Sequence, residues 1–162
     1  MSQNANAKVI IERTYKARVE ELWDLWMTKE GFESWWGPEG FRVEVDVLEA
    51  HTGGRLHYSM IAAAPEAIAA MQNLNRPTSH AVWARFTEVK PLERVLLTNQ
   101  IDFLPEVDPY ESNILVEFFP SGASVRMVVT LDPMHSEEFT RMSKMGFTSQ
   151  LGKLDRRFPQ HH

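Results

Sequence analysis

SEEFTRMSKMGFTSQLGKLDRRF, residues 136–158, is the stretch whose reading decides the fold. It reads as one long helix, with Glu137 and Glu138 in the first turn and Arg156 and Arg157 in the last, charges that complement the helix dipole. Stepping about 100° per residue, one face collects Phe139, Met142, Gly146, Phe147, Gln150, Leu154 and Phe158 around Ser143. The rim is apolar, but the centre is Ser143, Gly146 and Gln150. Glycine inside a helix costs roughly 1 kcal/mol against alanine, and a buried glutamine needs partners for its amide. Two explanations stand. Gly146 allows close helix–sheet approach while Gln150 bonds to a strand or to water, or the centre of this face borders a cavity with Ser143 and Gln150 as polar anchors.

Upstream of the helix the chain alternates like a sheet protein. KVIIERTY (8–15) is a strand, and VEELWDLW sets Val19, Leu22, Trp23 and Trp26 at helical spacing. Thr28 is placed to cap a second short helix, KEGFESWW, which Gly37-Pro38 terminates. FRVEVDVL follows, with Phe41, Val43, Val45 and Val47 on one face, then a Thr52-Gly53-Gly54 turn and the returning strand RLHYSMI. An insertion at 63–79 carries a helix opened by Pro65, with Ile68, Met71 and Leu74 on one face and Pro77 at its end. AVWARFTEV, RVLLTNQI, SNILVEFF and SVRMVVTL then read as consecutive strands. Short turns between them imply an antiparallel meander, covered on one face by the terminal helix.

The bulk numbers exclude several classes. The chain has 162 residues, enough for one domain, and 43% hydrophobic and 24% charged residues fit a globular protein. It has no cysteine, so disulfides, thiolate nucleophiles and cysteine-ligated zinc are ruled out. A net charge of -5 with scattered basic residues argues against nucleic acid or anionic lipid as partner. No apolar run reaches the roughly 18 residues of a membrane helix, and MSQNANAK lacks the apolar core of a secretory signal. A cytoplasmic location is the expectation. His161-His162 resembles the stub of an expression tag and is assigned no function.

ERTYKARVEELWDLWMTKEGFESWWGPEGF resembles the opening of SRPBCC (START-like) domains of the heat-shock-protein-90 ATPase activator homologue type. The likeness lies in a strand, an Ala-x-x-Glu-x-x-Trp helix and a Trp-Trp-x-Pro turn. GGRLHY, FTEVKPLERVLLT and MGFTSQLGKL resemble that family's glycine hairpin, strand pair and terminal helix, so the match spans about 8–158 of a single domain. Three features depart from the pattern: Phe147 replaces a tryptophan, Arg94 precedes valine rather than leucine, and the insertion at 63–79 is long. The resemblance implies an α+β helix-grip fold, in which a curved antiparallel sheet wraps a long C-terminal helix and leaves an apolar cavity between them. The inserted helix would then serve as a lid. The chaperone activators carry a separate N-terminal domain that this chain is expected to lack, so chaperone activation is not carried over.

Catalytic motifs are weak. His51, His57, His80 and His135 show no metal-binding spacing, and only His80 opens a strand near the proposed lid. No serine sits in a nucleophile elbow, and TGGR fits no phosphate loop. Glu117 interrupts an apolar strand but alternation turns it outward, and Trp83 with Arg85 form a candidate solvent-side cation–π pair. DFLPEVDPYE presents Phe103, Leu104 and Tyr110 on a loop, where binding groups often lie.

These readings converge on a small, largely apolar or amphipathic ligand, with no cofactor and no metal. The pocket residues would be Trp36, Tyr58, Met60, Phe86, Phe103, Ser143, Gly146 and Gln150. Trp35 would plug the short helices against the sheet while Trp36 leans toward the pocket. Two other classes remain open: a cyclase-, lyase- or hydrolase-like enzyme with His80 or Tyr58 as acid–base group, and a chaperone-binding or homodimerising module.

Overall fold

The computed structural model describes residues 7–102 and 106–158. In chain order these form β1 (Val9–Tyr15), α1 (Val19–Met27), α2 (Lys29–Glu33), β2 (Phe41–Leu48), β3 (Arg55–Ala62), α3 (Pro65–Asn73), β4 (Ser79–Lys90), β5 (Arg94–Ile101), β6 (Tyr110–Ser121), β7 (Ser124–Leu131) and α4 (Glu137–Arg157). The strands make one seven-stranded antiparallel sheet in the order β1-β7-β6-β5-β4-β3-β2. Its inner face receives α4, and α1 and α2 pack into the same core, which is the helix-grip arrangement. No described helix is long and apolar enough to cross a membrane.

Local chemistry sets the helix ends. The Thr28 hydroxyl accepts from the Gly31 N–H at 3.0 Å and caps α2, and the Ser136 hydroxyl accepts from the Phe139 N–H at 3.2 Å and caps α4. α4 starts where β7 ends, beside Ser112 and Tyr110 of β6, and finishes beside Tyr15 of β1. It therefore runs back along the sheet, antiparallel to β7. At its far end the Tyr15 hydroxyl donates to Asp155 at 2.6 Å, Arg13 pairs with the same carboxylate at 3.3 Å, and Tyr15 meets Phe158.

Four local readings are corrected by the structure. A bulge between Val45 and Val47 turns the end of β2 over: Val47 pairs with outward-facing His57, and Leu48 joins the core opposite Leu56. α2 stops at Glu33, so the tryptophan pair lies in the turn after the helix and not within it. On α4 the buried stripe is Phe147, Gln150, Leu151 and Leu154; Leu151 was absent from the expected face, and Met142 is 53% exposed. α3 ends at Asn73 and buries no residue, leaving Leu74 exposed past its end.

Candidate functional site

The Trp35–Phe41 turn is fastened to α4 by a row of polar contacts. The Gly37 N–H donates to Gln150 Oε1 at 3.0 Å, and the Glu39 N–H donates to the Ser149 hydroxyl at 2.9 Å. One turn further on, Lys153 Nζ donates to the carbonyls of Gly37 and Phe41 at 2.9 and 3.1 Å. Burial holds the Lys153 ammonium below its ordinary pKa, an effect the nearby Glu39 carboxylate opposes. Gly37 adopts φ 97°, and a Cβ there would stand 3.1 Å from Met60 Sδ, so the conformation and the space both favour glycine.

Leaving a helix end lets two adjacent indoles be buried in different directions. Trp35 (1% exposed) donates from Nε1 to the Leu25 carbonyl of α1 at 2.9 Å, fixing the short helices. Trp36 (4% exposed) turns the other way, and its Nε1–H donates to the Tyr58 hydroxyl of β3 at 3.0 Å. Trp36 stacks on Phe32 at 4.5 Å and meets Trp26 and Phe147 edge-on at 5.3 and 5.7 Å. Burial pushes the Tyr58 phenol up to about 12, against the opposing effect of the Trp36 N–H. Tyr58 is thus a neutral hydrogen-bonding group at any ordinary pH.

Packing loosens along the inner face. Under the C-terminal half of α4, Tyr15, Val95, Val116, Val129, Leu151 and Leu154 are fully buried. Toward the α4 N-terminus the inner face passes through Val82, Ala84, Asn99, Ile101 and Ser112, each slightly accessible, to half-buried Met60 and His80. Asn99 and Ser112 face each other across the β5–β6 ladder. Sequence reasoning missed both polar residues. Alternation in RVLLTNQI carries the signal, because Asn99 shares its face with Val95, Leu97 and Ile101.

Above this end of the sheet, Ser143 and Gly146 of α4 are half-buried, and a Cβ added to Gly146 would meet only Pro38 Cγ at 3.9 Å. Of the expected pocket residues, Trp36, Tyr58, Met60, Ser143, Gly146 and Gln150 belong to the turn, β3 or α4 as described, and Phe86 is packed in the core at the middle of β4. Phe103, with Leu104, lies outside the described residues.

The histidines divide. His80 continues the inner row of Val82, Ala84 and Phe86 at the start of β4, and burial followed by the Arg76 charge holds its pKa below the usual value. His135 was not anticipated here: its Nδ1 lies 2.9 Å from the Tyr110 hydroxyl and its ring 4.4 Å from Phe139, beside the start of α4. On the outer face, Trp83 packs against His57 at 4.1 Å while Arg85 pairs with Glu111 at 2.7 Å, so the expected Trp83–Arg85 contact is replaced by these two. Among the described residues no three metal-ligating side chains converge.

Comparisons agree with this architecture. Residues 16–158 match the family model described as activator of Hsp90 ATPase homolog 1-like protein. No curated protein matches the sequence at a significant level. Among solved structures, a protein from Chromobacterium violaceum is 17% identical with a TM-score of 0.74, the match covering 96% of this chain and 99% of that one. The AHSA1 protein from Silicibacter pomeroyi is 23% identical with a TM-score of 0.73, over 93% and 96% of the two chains. A protein from Arthrobacter aurescens is 19% identical with a TM-score of 0.71, over 91% and 83%. At these identities the likeness is one of fold.

Proposed function

Because the chain belongs to the activator of Hsp90 ATPase homolog 1-like family, we propose that it binds a small, largely apolar molecule between the inner sheet face and the N-terminal half of α4. One observation carries this reading: half-buried Gly146 has room for a Cβ, which would meet only Pro38 Cγ at 3.9 Å, close to the half-buried end of the inner face. A helix that needed only to cover the sheet would gain stability from alanine or leucine there. Met60, Trp36 and Tyr58 supply an apolar and aromatic wall, and Asn99, Ser112, Ser143 and Gln150 supply a few polar groups, the usual make-up of a small-molecule site. α3 sets Ala64 and Ala67 against Gly40, so in this reading it closes over the same turn as a lid.

Native mass spectrometry of gently purified protein tests the proposal. The expected spectrum contains a non-covalent adduct of a few hundred daltons, lost on mild activation and absent from Gly146→Phe, whose ring fills the space. A folded wild-type protein that carries no adduct and takes up none from a panel of apolar compounds would sink it.

A further inference from the structure

Around Trp36 the structure holds more hydrogen-bond donors than acceptors. Gln150 is 96% buried, being 4% exposed, and its carboxamide Nε2 has no hydrogen-bond partner. Its orientation is not arbitrary. Exchanging the amide oxygen and nitrogen would set an NH2 against the Gly37 N–H, two donors facing each other, so Oε1 must face Gly37 and the NH2 must face away from that turn. A second buried donor, Trp26 Nε1–H, is also unpaired, on a ring that touches both Trp36 and Phe147. The Tyr58 hydroxyl accepts from Trp36, a bond that uses its oxygen and not its own proton.

Two cations near this end of the turn and α4 already have hydrogen-bond partners. Lys153 is held by the Gly37 and Phe41 carbonyls, and Arg13 by Asp155. A carboxylate against Gln150 Nε2 would exchange its hydration for a neutral donor, which opposes binding. A carbonyl loses far less hydration and gains a donor that is otherwise unsatisfied.

Resting on the binding reading above, we propose that the ligand is an apolar molecule carrying one neutral acceptor oxygen, a ketone, aldehyde, ester or amide carbonyl, which accepts from Gln150 Nε2–H. Phe32, Trp36 and Phe147 pack on one another beside this donor and make its surroundings apolar. Gln150 is then a specificity residue, selecting the oxygen, while Gly146 provides the room.

Three matched probes separate this inference from the broader one: 2-acetylnaphthalene, 2-ethylnaphthalene and 2-naphthoate, titrated by calorimetry into the full chain and into Gln150→Met. Wild type is expected to bind 2-acetylnaphthalene about tenfold more tightly than 2-ethylnaphthalene, and 2-naphthoate no better than the hydrocarbon. In Gln150→Met the preference for the ketone over the hydrocarbon should fall to near unity. Because Gln150→Met also removes the acceptor for Gly37, its fold is checked by circular dichroism. The wild-type Gln150 side-chain NH2 resonance gives an independent readout, expected to move with the ketone and not with the hydrocarbon. Equal wild-type affinities for ketone and hydrocarbon, tightest binding of the naphthoate, or an NH2 resonance indifferent to the ketone would each overturn the neutral-oxygen inference and leave the pocket standing. Failure of all three probes to bind would remove the pocket reading as well.

Discussion

Between Phe147 and Arg157, α4 sets Phe147, Gln150, Leu151 and Leu154 into the core and is pinned by Lys153 to the Trp35–Phe41 turn and by Asp155 to Tyr15 and Arg13. Between Glu137 and Gly146 the same helix buries no residue fully, and Met142 and Met145 face outward. The sheet beneath changes in step, from fully buried valines to Asn99, Ser112, Met60 and His80. The C-terminal half of the helix thus holds the fold together, while the N-terminal half contributes no fully buried side chain. A helix anchored at one end can tolerate poor packing at the other, because total stability is set by the anchored half while the loose half remains free for binding.

The largest effect should separate the halves outright. Leu151→Ala or Leu154→Ala removes a fully buried side chain and should cost about 2–5 kcal/mol by chemical denaturation. Met145→Ala, on the exposed side of the loose half, should change stability by no more than about 0.5 kcal/mol. Similar losses for both would erase the distinction.

Gly146→Ala sharpens it further. The added methyl meets nothing closer than 3.9 Å, and alanine is the better helix former, so stability should rise by roughly 0.5–1 kcal/mol. A loss instead would mean that the space is closed in solution.

Two pH dependences follow from burial, one at Tyr58 and one at His80. Tyr58 has its folded pKa raised from 10.0 to about 12. Between those values the folded state holds the proton that the unfolded chain releases, so stability falls as pH rises through that window. Tyr58→Phe should make the alkaline limb shallower, leaving the part due to Tyr15, whose pKa burial and Asp155 also raise. His80 has its folded pKa lowered from 6.5 by burial. Below pH 6.5 the unfolded chain binds the proton first, so stability declines as pH falls from there toward the folded value. His80→Gln should flatten that decline, a small effect since the residue is only half-buried.

Much of the fold was legible because its signals are local. Period-two runs marked the strands, Thr28 marked the start of α2, and the charge bias of residues 137–157 marked the long helix. The failures were events that local pattern does not encode. A bulge at Asp46 reversed the facing of Val47 and Leu48, and a small rotation of α4 brought Leu151 in and left Met142 out. The tryptophan pair was read into the second short helix, whereas past the helix end Trp35 and Trp36 bury toward α1 and β3 respectively. The site was half legible. Ser143, Gly146 and Gln150 stood out as a polar and small centre on an apolar face, whereas Asn99 and Ser112 required the register between β5 and β6 to bring them together.

The central claim is that a ligand lies where the loose half of α4 meets Gln150, and intermolecular nuclear Overhauser effects from 2-acetylnaphthalene ring protons test it most directly. The account predicts contacts to the Gly146 Hα protons, the Met60 methyl and the Trp36 indole. Contacts confined to the outer face, at Trp83 or Phe119, would contradict it.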